Sequence, residues 1–330
     1  MTSVYPGLND SQLELVLSRY GKNPKIEPLQ EEASTRRYFR ITTSQGKEEV
    51  VCADETVNED FILISEFLNA NEVHVPRVLE INREQGLTFM SFEGLKDFSS
   101  YALNDYKNKF PILINLILKL QTLDPPSLVK NRKFDTEKLS FETNLTLEKF
   151  EGFRKLFQIK TEISNEGKAF IEETIGYLNK YPINVFTHRD FHCRNVLIST
   201  KSEYALIDFQ DARMGVPQYD LVSILYDAYY PLPRDFRALM LKSFQKRNID
   251  QSKKFNDTFY LQALQRSFKA LGTYFRMVTD HGKNKFKPSI ISCLNQLEEI
   301  IQLGMFADSL YIFVRSLREE LSHHKDFKNL

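Results

Sequence analysis

Apolar and polar positions follow two regimes along this chain. Up to Phe92, short strand-like runs surround one helical segment and follow another near the start of the chain. Asn9, Asp10 and Ser11 precede apolar Leu13, Val16 and Leu17, which predicts a capped helix start. Residues 38–43 and 49–52, separated by a turn at Gln45-Gly46, predict a hairpin. Residues 61–68 carry helical spacing, while 74–81 and 87–92 read as strands. From Tyr101 onward the pattern is mainly helical. Residues 110–123 form an apolar helix stopped by Asp124-Pro125-Pro126, and 166–180 form an amphipathic one. After Asp220 helical spacing runs to the end, broken at Pro231, Pro233 and Pro288.

One stretch departs from the helical regime. Residues 196–199 and 204–207 are apolar runs separated by the polar segment 200–203, which reads as a second hairpin. If they pair as antiparallel strands, Asn195 opens one and Asp208 closes the other, so the two lie side by side. An amide oxygen and a carboxylate held that way suit Mg²⁺ between nucleotide phosphates. Asp190, five residues before Asn195, then sits on a loop where it would accept a proton from an attacking hydroxyl. Each residue also has an ordinary explanation. His-Arg-Asp is a common tripeptide, an Asn before a strand is usually a cap, and an Asp after a strand usually enters a loop. Their combination in one spacing is what points to a magnesium- and nucleotide-dependent phosphotransferase.

With those residues in place, a family resemblance emerges. His188-Arg-Asp-Phe-His-Cys-Arg-Asn195, Ile207-Asp-Phe-Gln-Asp-Ala212 and Pro217-Gln-Tyr-Asp-Leu-Val-Ser223 resemble the aminoglycoside phosphotransferase/choline kinase superfamily. The similarity is greatest to the bacterial anomeric kinases of N-acetylmuramate and N-acetylglucosamine. Residues 33–40, 74–78 and 264–272 extend it over most of the chain. The resemblance implies an α+β, protein-kinase-like bilobal fold. Its antiparallel-sheet N-lobe would span 1–93 and cover the nucleotide. Its mainly helical C-lobe would span 94–330 and carry the acceptor site. ATP (or GTP) would be the co-substrate, with Mg²⁺ on Asn195 and Asp208. Asp220 would receive backbone N–H groups of the catalytic loop, a structural role. His188 is expected to pack behind that loop, and Cys193 to be a small filler within it.

One departure matters. Kinase-like sites place a Lys on the third N-lobe strand to hold phosphates. Here that strand, 50–53, has none, and Lys47 precedes it. Arg36 or Arg37 would have to replace it, helped by the backbone N–H groups of Ser34 and Thr35; Glu59 is a candidate partner for one arginine. The base would dock near Met90 and Phe92. Alternatively, these arginines only solvate a hairpin.

Charge narrows the partners. The chain has 44 Lys and Arg against 44 Asp and Glu, so no global field favours nucleic acid or an anionic membrane. Three cysteines without metal-ligand spacing suggest reduced thiols in a cytoplasm. No apolar run approaches the roughly 18–20 residues of a membrane span, no signal-peptide pattern opens the chain, and no protein partner is expected. From Lys242 onward, 15 Lys and Arg face 9 Asp and Glu. A basic C-lobe suits a neutral or anionic sugar better than a polycationic aminoglycoside or choline. Asp211, Arg213, Arg266 and Tyr274 are candidate acceptor contacts. Asp211 is open between binding a metal or substrate hydroxyl and capping a loop. Two alternatives stay in view: a kinase of aminoglycosides or another small alcohol, and a catalytically silent nucleotide-binding scaffold motivated by the missing Lys.

Overall fold

The structure is a computed structural model and describes residues 7–21, 23–29, 36–199 and 203–328. In chain order it contains α1 (Asp10–Tyr20), β1 (Lys25–Pro28), β2 (Arg37–Thr42), β3 (Glu48–Ala53), α2 (Glu59–Ala70), β4 (Val78–Asn82), β5 (Leu87–Ser91) and β6 (Lys96–Asp97). Then follow α3 (Leu103–Gln121), α4 (Ser127–Lys130), α5 (Thr136–Phe157), α6 (Asn165–Asn179), β7 (Val185–Thr187), β8 (Val196–Ile198), β9 (Tyr204–Leu206) and β10 (Arg213–Gly215). The rest is α7 (Tyr219–Leu225), α8 (Arg234–Gln245), α9 (Phe255–Thr279), α10 (Lys287–Gly304) and α11 (Asp308–His323).

The chain forms two compact units. One runs to Phe98 and takes in Asn195–Gln210; the other comprises Ser99–Arg194 and Asp211–Leu330. The segment 195–210 joins the first unit because β8 pairs with β6 and β9, and Leu206 N donates to the His74 carbonyl at 2.9 Å.

In the first unit an antiparallel sheet runs in the order β1-β2-β3-β5-β4. Its two faces follow the two-residue period of a strand. One face buries Phe39, Ile41, Val51, Ala53, Leu87 and Phe89 with Leu8 and Val16. The other buries Val50, Cys52 and Met90, with Tyr38, Phe61 and Phe92 packed against them. The expected cap is present: Asn9 accepts from Gln12 N while the Gln12 side chain accepts from Asn9 N, a reciprocal capping box. The strand expected over 74–81 starts only at Val78. Pro76 lacks the N–H a ladder needs, and residues before it run as irregular chain.

The second unit is built on α9, which packs against α5, α6, α7 and α10. The helix expected over 110–123 begins earlier, at Leu103, and continues through Pro111. Pro288 does not interrupt a helix: it occupies the first turn of α10, where a missing N–H costs nothing. At the α5–α9 crossing, Gly272 lets the backbones approach closely. A Cβ there would lie 2.7 Å from Thr146 Cα and 2.3 Å from its Oγ1. Since the Cα cannot rotate away, Gly272→Ala should push the helices apart and destabilise the protein by about 1–3 kcal/mol, measured as a lower urea midpoint with unchanged m-value.

Candidate active site

The first unit presents the metal-type pair. β8 and β9 pair as Val196↔Leu206, Leu197↔Ala205 and Ile198↔Tyr204, and Ile207 N donates to Asn195 O at 3.0 Å. That register leaves Asn195 and Asp208 at one end of the ribbon, with Asn195 Nδ2 3.4 Å from Asp208 Oδ2. Asp208 adopts the left-handed conformation (φ 64°), which Asp tolerates better than bulkier residues. Two contacts hold it there. Gln210 Nε2 donates to Asp208 Oδ1 at 2.7 Å, and buried Phe209 stacks on Phe61 of α2 with centroids 4.9 Å apart.

These residues fit a divalent cation. Rotating the Asn195 amide by half a turn presents its oxygen beside the Asp208 carboxylate. Among the described residues no cluster of three or more His, Cys, Asp and Glu exists to form an all-protein cage. Two protein oxygens with the remaining positions left to phosphate and water is the arrangement Mg²⁺ accepts.

Strand alternation separates the two arginines. Arg36 lies on the Cys52–Met90 face, lining a pocket with Tyr38, Asp54, Phe61, Thr88 and Met90. Its Nε is 3.8 Å from Asp54 Oδ2. Although burial disfavours its charge, a hydrogen bond with Tyr38 and the field of Asp208 raise its pKa, so it stays cationic. Arg37 falls on the opposite face, where its Cδ and the Phe39 ring flank Gly7. Only Arg36 is therefore brought to the Asp208 side. Met90 is buried in the same pocket, whereas the partly buried Phe92 ring lies under the Arg40 guanidinium, 5.0 Å from centroid to Cζ. Ser34 and Thr35 lie outside the described residues. Lys47 is committed to Glu49 at 2.5 Å. The pairing considered for Glu59 is not formed: it binds Arg83 at 2.7 Å, on the exposed edge of α2.

The second unit holds Asp190. Its carboxylate lies 3.1 Å from Arg189 Nη1 and 3.4 Å from Lys269 Nζ on α9. Burial alone would raise its pKa, but Lys269, Arg189, Arg266 and His192 outweigh burial and hold it well below the usual carboxylate range. Arg189 also reaches Asp211 at 3.2 Å and Glu142 of α5 at 3.7 Å. Beneath them, buried Asp220 accepts from His188 N at 2.8 Å and Arg189 N at 3.1 Å, the role implied for it. Burial pushes the Asp220 carboxyl up to about 7, against the pull of those two donors.

The remaining candidates separate by burial. Arg266 is 7 % exposed, and its Nε hydrogen-bonds Ser223 Oγ. It lies on α9 together with Tyr274, as the helical spacing required, but both side chains are buried. Tyr274 packs between Tyr229 and Phe286, away from any open surface. Arg213 stands on β10, with Nε donating to the Asp211 carbonyl at 3.3 Å and its guanidinium 5.3 Å from the Phe134 centroid. Asp211 is half exposed. His188 and Cys193 are buried, and Cys193 N donates to Asp227 Oδ2 at 2.9 Å.

Four participants were not singled out from sequence: Arg189, Lys269, Glu142 and Gln210. Arg189 lay in plain view within His-Arg-Asp, and Gln210 in the place of a kinase glycine. Lys269 and Glu142 come from distant helices and carry no local signal.

Residues 25–254 match the phosphotransferase enzyme family, APH. The chain is 27 % identical over 288 residues to an N-acetylmuramate/N-acetylglucosamine kinase of Neisseria meningitidis, covering 82 % of this chain and 83 % of that protein. It is 25 % identical over 316 residues to the Pseudomonas aeruginosa protein of the same name, covering 89 % and 92 %. Among solved structures, ADP-bound aminoglycoside phosphotransferase APH(2'')-Ib aligns with TM-score 0.57 at 16 % identity, covering 93 % of this chain and all of that one. Choline kinase LicA from Streptococcus pneumoniae aligns with TM-score 0.56 at 12 % identity, covering 89 % and 99 %. Among the described residues no helix is long and apolar enough to cross a membrane. The chain thus belongs to the APH phosphotransferase enzyme family, with the protein-kinase-like fold of that family, and is an ATP-dependent kinase of a small molecule.

Proposed function

We propose that this kinase transfers the γ-phosphoryl group of ATP to a sugar hydroxyl, namely the anomeric hydroxyl of N-acetylmuramate or N-acetylglucosamine, in the cytoplasm. The observation that carries the reading is Asp190, a carboxylate kept ionised by Lys269 and Arg189. The named activity of the Neisseria and Pseudomonas relatives supports the choice of acceptor. Cationic side chains around Asp190 disfavour a polycationic aminoglycoside.

In this scheme the acceptor oxygen attacks the γ-phosphorus, and its proton passes to Asp190 Oδ as the new P–O bond forms. The bond between γ-phosphorus and the β–γ bridging oxygen breaks, and ADP leaves. Asn195 and Asp208 would hold Mg²⁺, which when bound would offset phosphate charge. Arg36 supplies the cation that other kinases place on the third strand. Backbone N–H groups of Ser34 and Thr35 would assist Arg36 at the phosphates, Arg37 would stand apart on the other sheet face, and Met90 and Phe92 would lie near the base. Asp211, Arg213 and Arg266 serve the acceptor side, Arg266 as a buried charge behind Asp190. The N-terminal lobe, 1–93, covers the nucleotide and 94–330 carries the acceptor site.

Three measurements test this reading. Asp190→Asn should lower sugar-stimulated ADP release by about 10²–10⁴-fold while nucleotide binding by calorimetry persists. Turnover within tenfold of wild type would contradict its role. Arg36→Gln should raise KM for ATP by about tenfold, or about 1.4 kcal/mol, whereas Arg37→Gln should change it less than about twofold. Because neighbouring cations depress the Asp190 pKa, the wild-type kcat/KM profile should show no acid limb from this group above the ordinary carboxylate value of about 4. Lys269→Met removes one of those cations, so an acid limb should move upward in pH; a downward shift would refute the assignment.

A further inference from the structure

Within the second unit, charges around Asp190 do not balance. Apart from buried Arg266, which also faces buried Asp220 and Asp227, four cationic side chains, Lys138, Arg189, Arg213 and Lys269, meet three carboxylates, Glu142, Asp190 and Asp211. Arg189 bridges all three carboxylates, Lys269 pairs with Asp190, and Lys138 pairs with Glu142 at 3.4 Å. Arg213 is the surplus. Its Nε donates to the Asp211 carbonyl, and among the described residues it forms no ion pair within 4 Å.

The surplus cation is fixed in place. Arg213 opens β10, paired with Thr187 of β7, while Met214 N donates to Arg132 O at 2.7 Å and Phe134 N to Met214 O at 3.1 Å. Phe134, beneath the guanidinium, is stacked on Tyr219 at 4.2 Å. Gly215 lets Phe134 come this near, since a Cβ there would lie 2.8 Å from the ring. A guanidinium with its outer nitrogens uncommitted and its stem immobilised is preorganised for a bidentate anion. Lys138, with its ammonium 5.5 Å from the largely exposed Phe141 ring, stands within electrostatic reach of Arg213. Burial lowers the pKa of Lys138, with repulsion from Arg189 and Arg213 acting against the pull of Glu142; burial and Arg189 likewise lower that of Arg213 against the pull of Glu142 and Asp211. An added anion would relieve that repulsion.

We propose that Arg213 and Lys138 form a subsite for a carboxylate carried by the acceptor, so that the enzyme prefers a sugar acid to its neutral counterpart. This rests on the sugar-kinase reading above. The chain of contacts Asp190–Arg189–Asp211 leads from the catalytic carboxylate to β10, placing the subsite on the acceptor's side of the chemistry. N-acetylmuramate differs from N-acetylglucosamine by an ether-linked carboxylate, the group such a subsite would read.

The experiment compares N-acetylmuramate, its methyl ester and N-acetylglucosamine as acceptors of the full-length enzyme, by ADP release at fixed ionic strength. Wild type should favour the acid over the ester by at least about tenfold in kcat/KM, chiefly through KM. Arg213→Gln should reduce that preference by about tenfold and Lys138→Gln by about threefold, with Arg213→Lys restoring part of it. Equal kcat/KM for acid and ester in wild type would overturn the subsite while leaving the sugar kinase standing, and would do so even if the variants fail to fold. A change in KM for ATP instead of the acid preference would assign Arg213 to nucleotide phosphate, overturning the proposal. Absence of ADP release with every sugar would end both readings.

Discussion

Arg189 holds three carboxylates from three parts of the chain, Glu142, Asp190 and Asp211, and most of what the second unit presents depends on that grip. A buried guanidinium is expensive without partners, and so are the carboxylates without it. Their mutual field keeps Arg189 charged despite burial, and helps keep Asp190 ionised. The backbone contributes as well. Arg189 is left-handed (φ 79°), a conformation costing about 1–2 kcal/mol for a residue with a side chain. Asp220 offsets that cost by accepting the consecutive N–H groups of His188 and Arg189.

The first unit reaches a comparable result with different parts. Asp208 is also left-handed, but hydrogen bonding from Gln210 and the Phe209–Phe61 stack hold it. Where a kinase glycine would leave the backbone free, Gln210 donates to the carboxylate itself. The Phe209 ring ties that carboxylate's loop to α2, and the same Phe61 lines the Arg36 pocket. A single aromatic contact therefore couples the metal-type oxygen to the cation that would face phosphate. The chain passes between the units three times, after Phe98, after Arg194 and after Gln210, and the segment between the last two brings Asn195 and Asp208 into the first unit.

Much of this was legible from residue pattern. The two hairpins follow from apolar runs around polar turns, and the β8–β9 register put Asn195 and Asp208 together as the spacing required. The capping box at Asn9 and the helix of 61–68 followed from local rules. What failed is equally specific. Pattern could not choose between Arg36 and Arg37, because adjacent strand residues are equivalent until the faces have partners. Glu59 lay near the arginines in sequence yet found Arg83, since the side of α2 it occupies was not fixed by the helical period alone. Arg266 and Tyr274 shared a helix face as expected, but that face was the buried one.

By itself the sequence determined which groups exist and how far apart the chain can hold them. Asp190, Asn195 and Asp208 lie within one stretch of sequence, and hydrogen bonding along the β8–β9 ribbon sets the Asn195–Asp208 geometry. Only tertiary structure decided their electrostatic surroundings. Lys269 and Glu142 come from helices far along the chain, and the charge balance near Asp190 depends on both. Side-chain periodicity records burial, not the identity of the neighbour across a packed interface. Ionisation and ligand charge preference depend on that neighbour, so they arise only once α5, α9 and the loop before β8 are packed together.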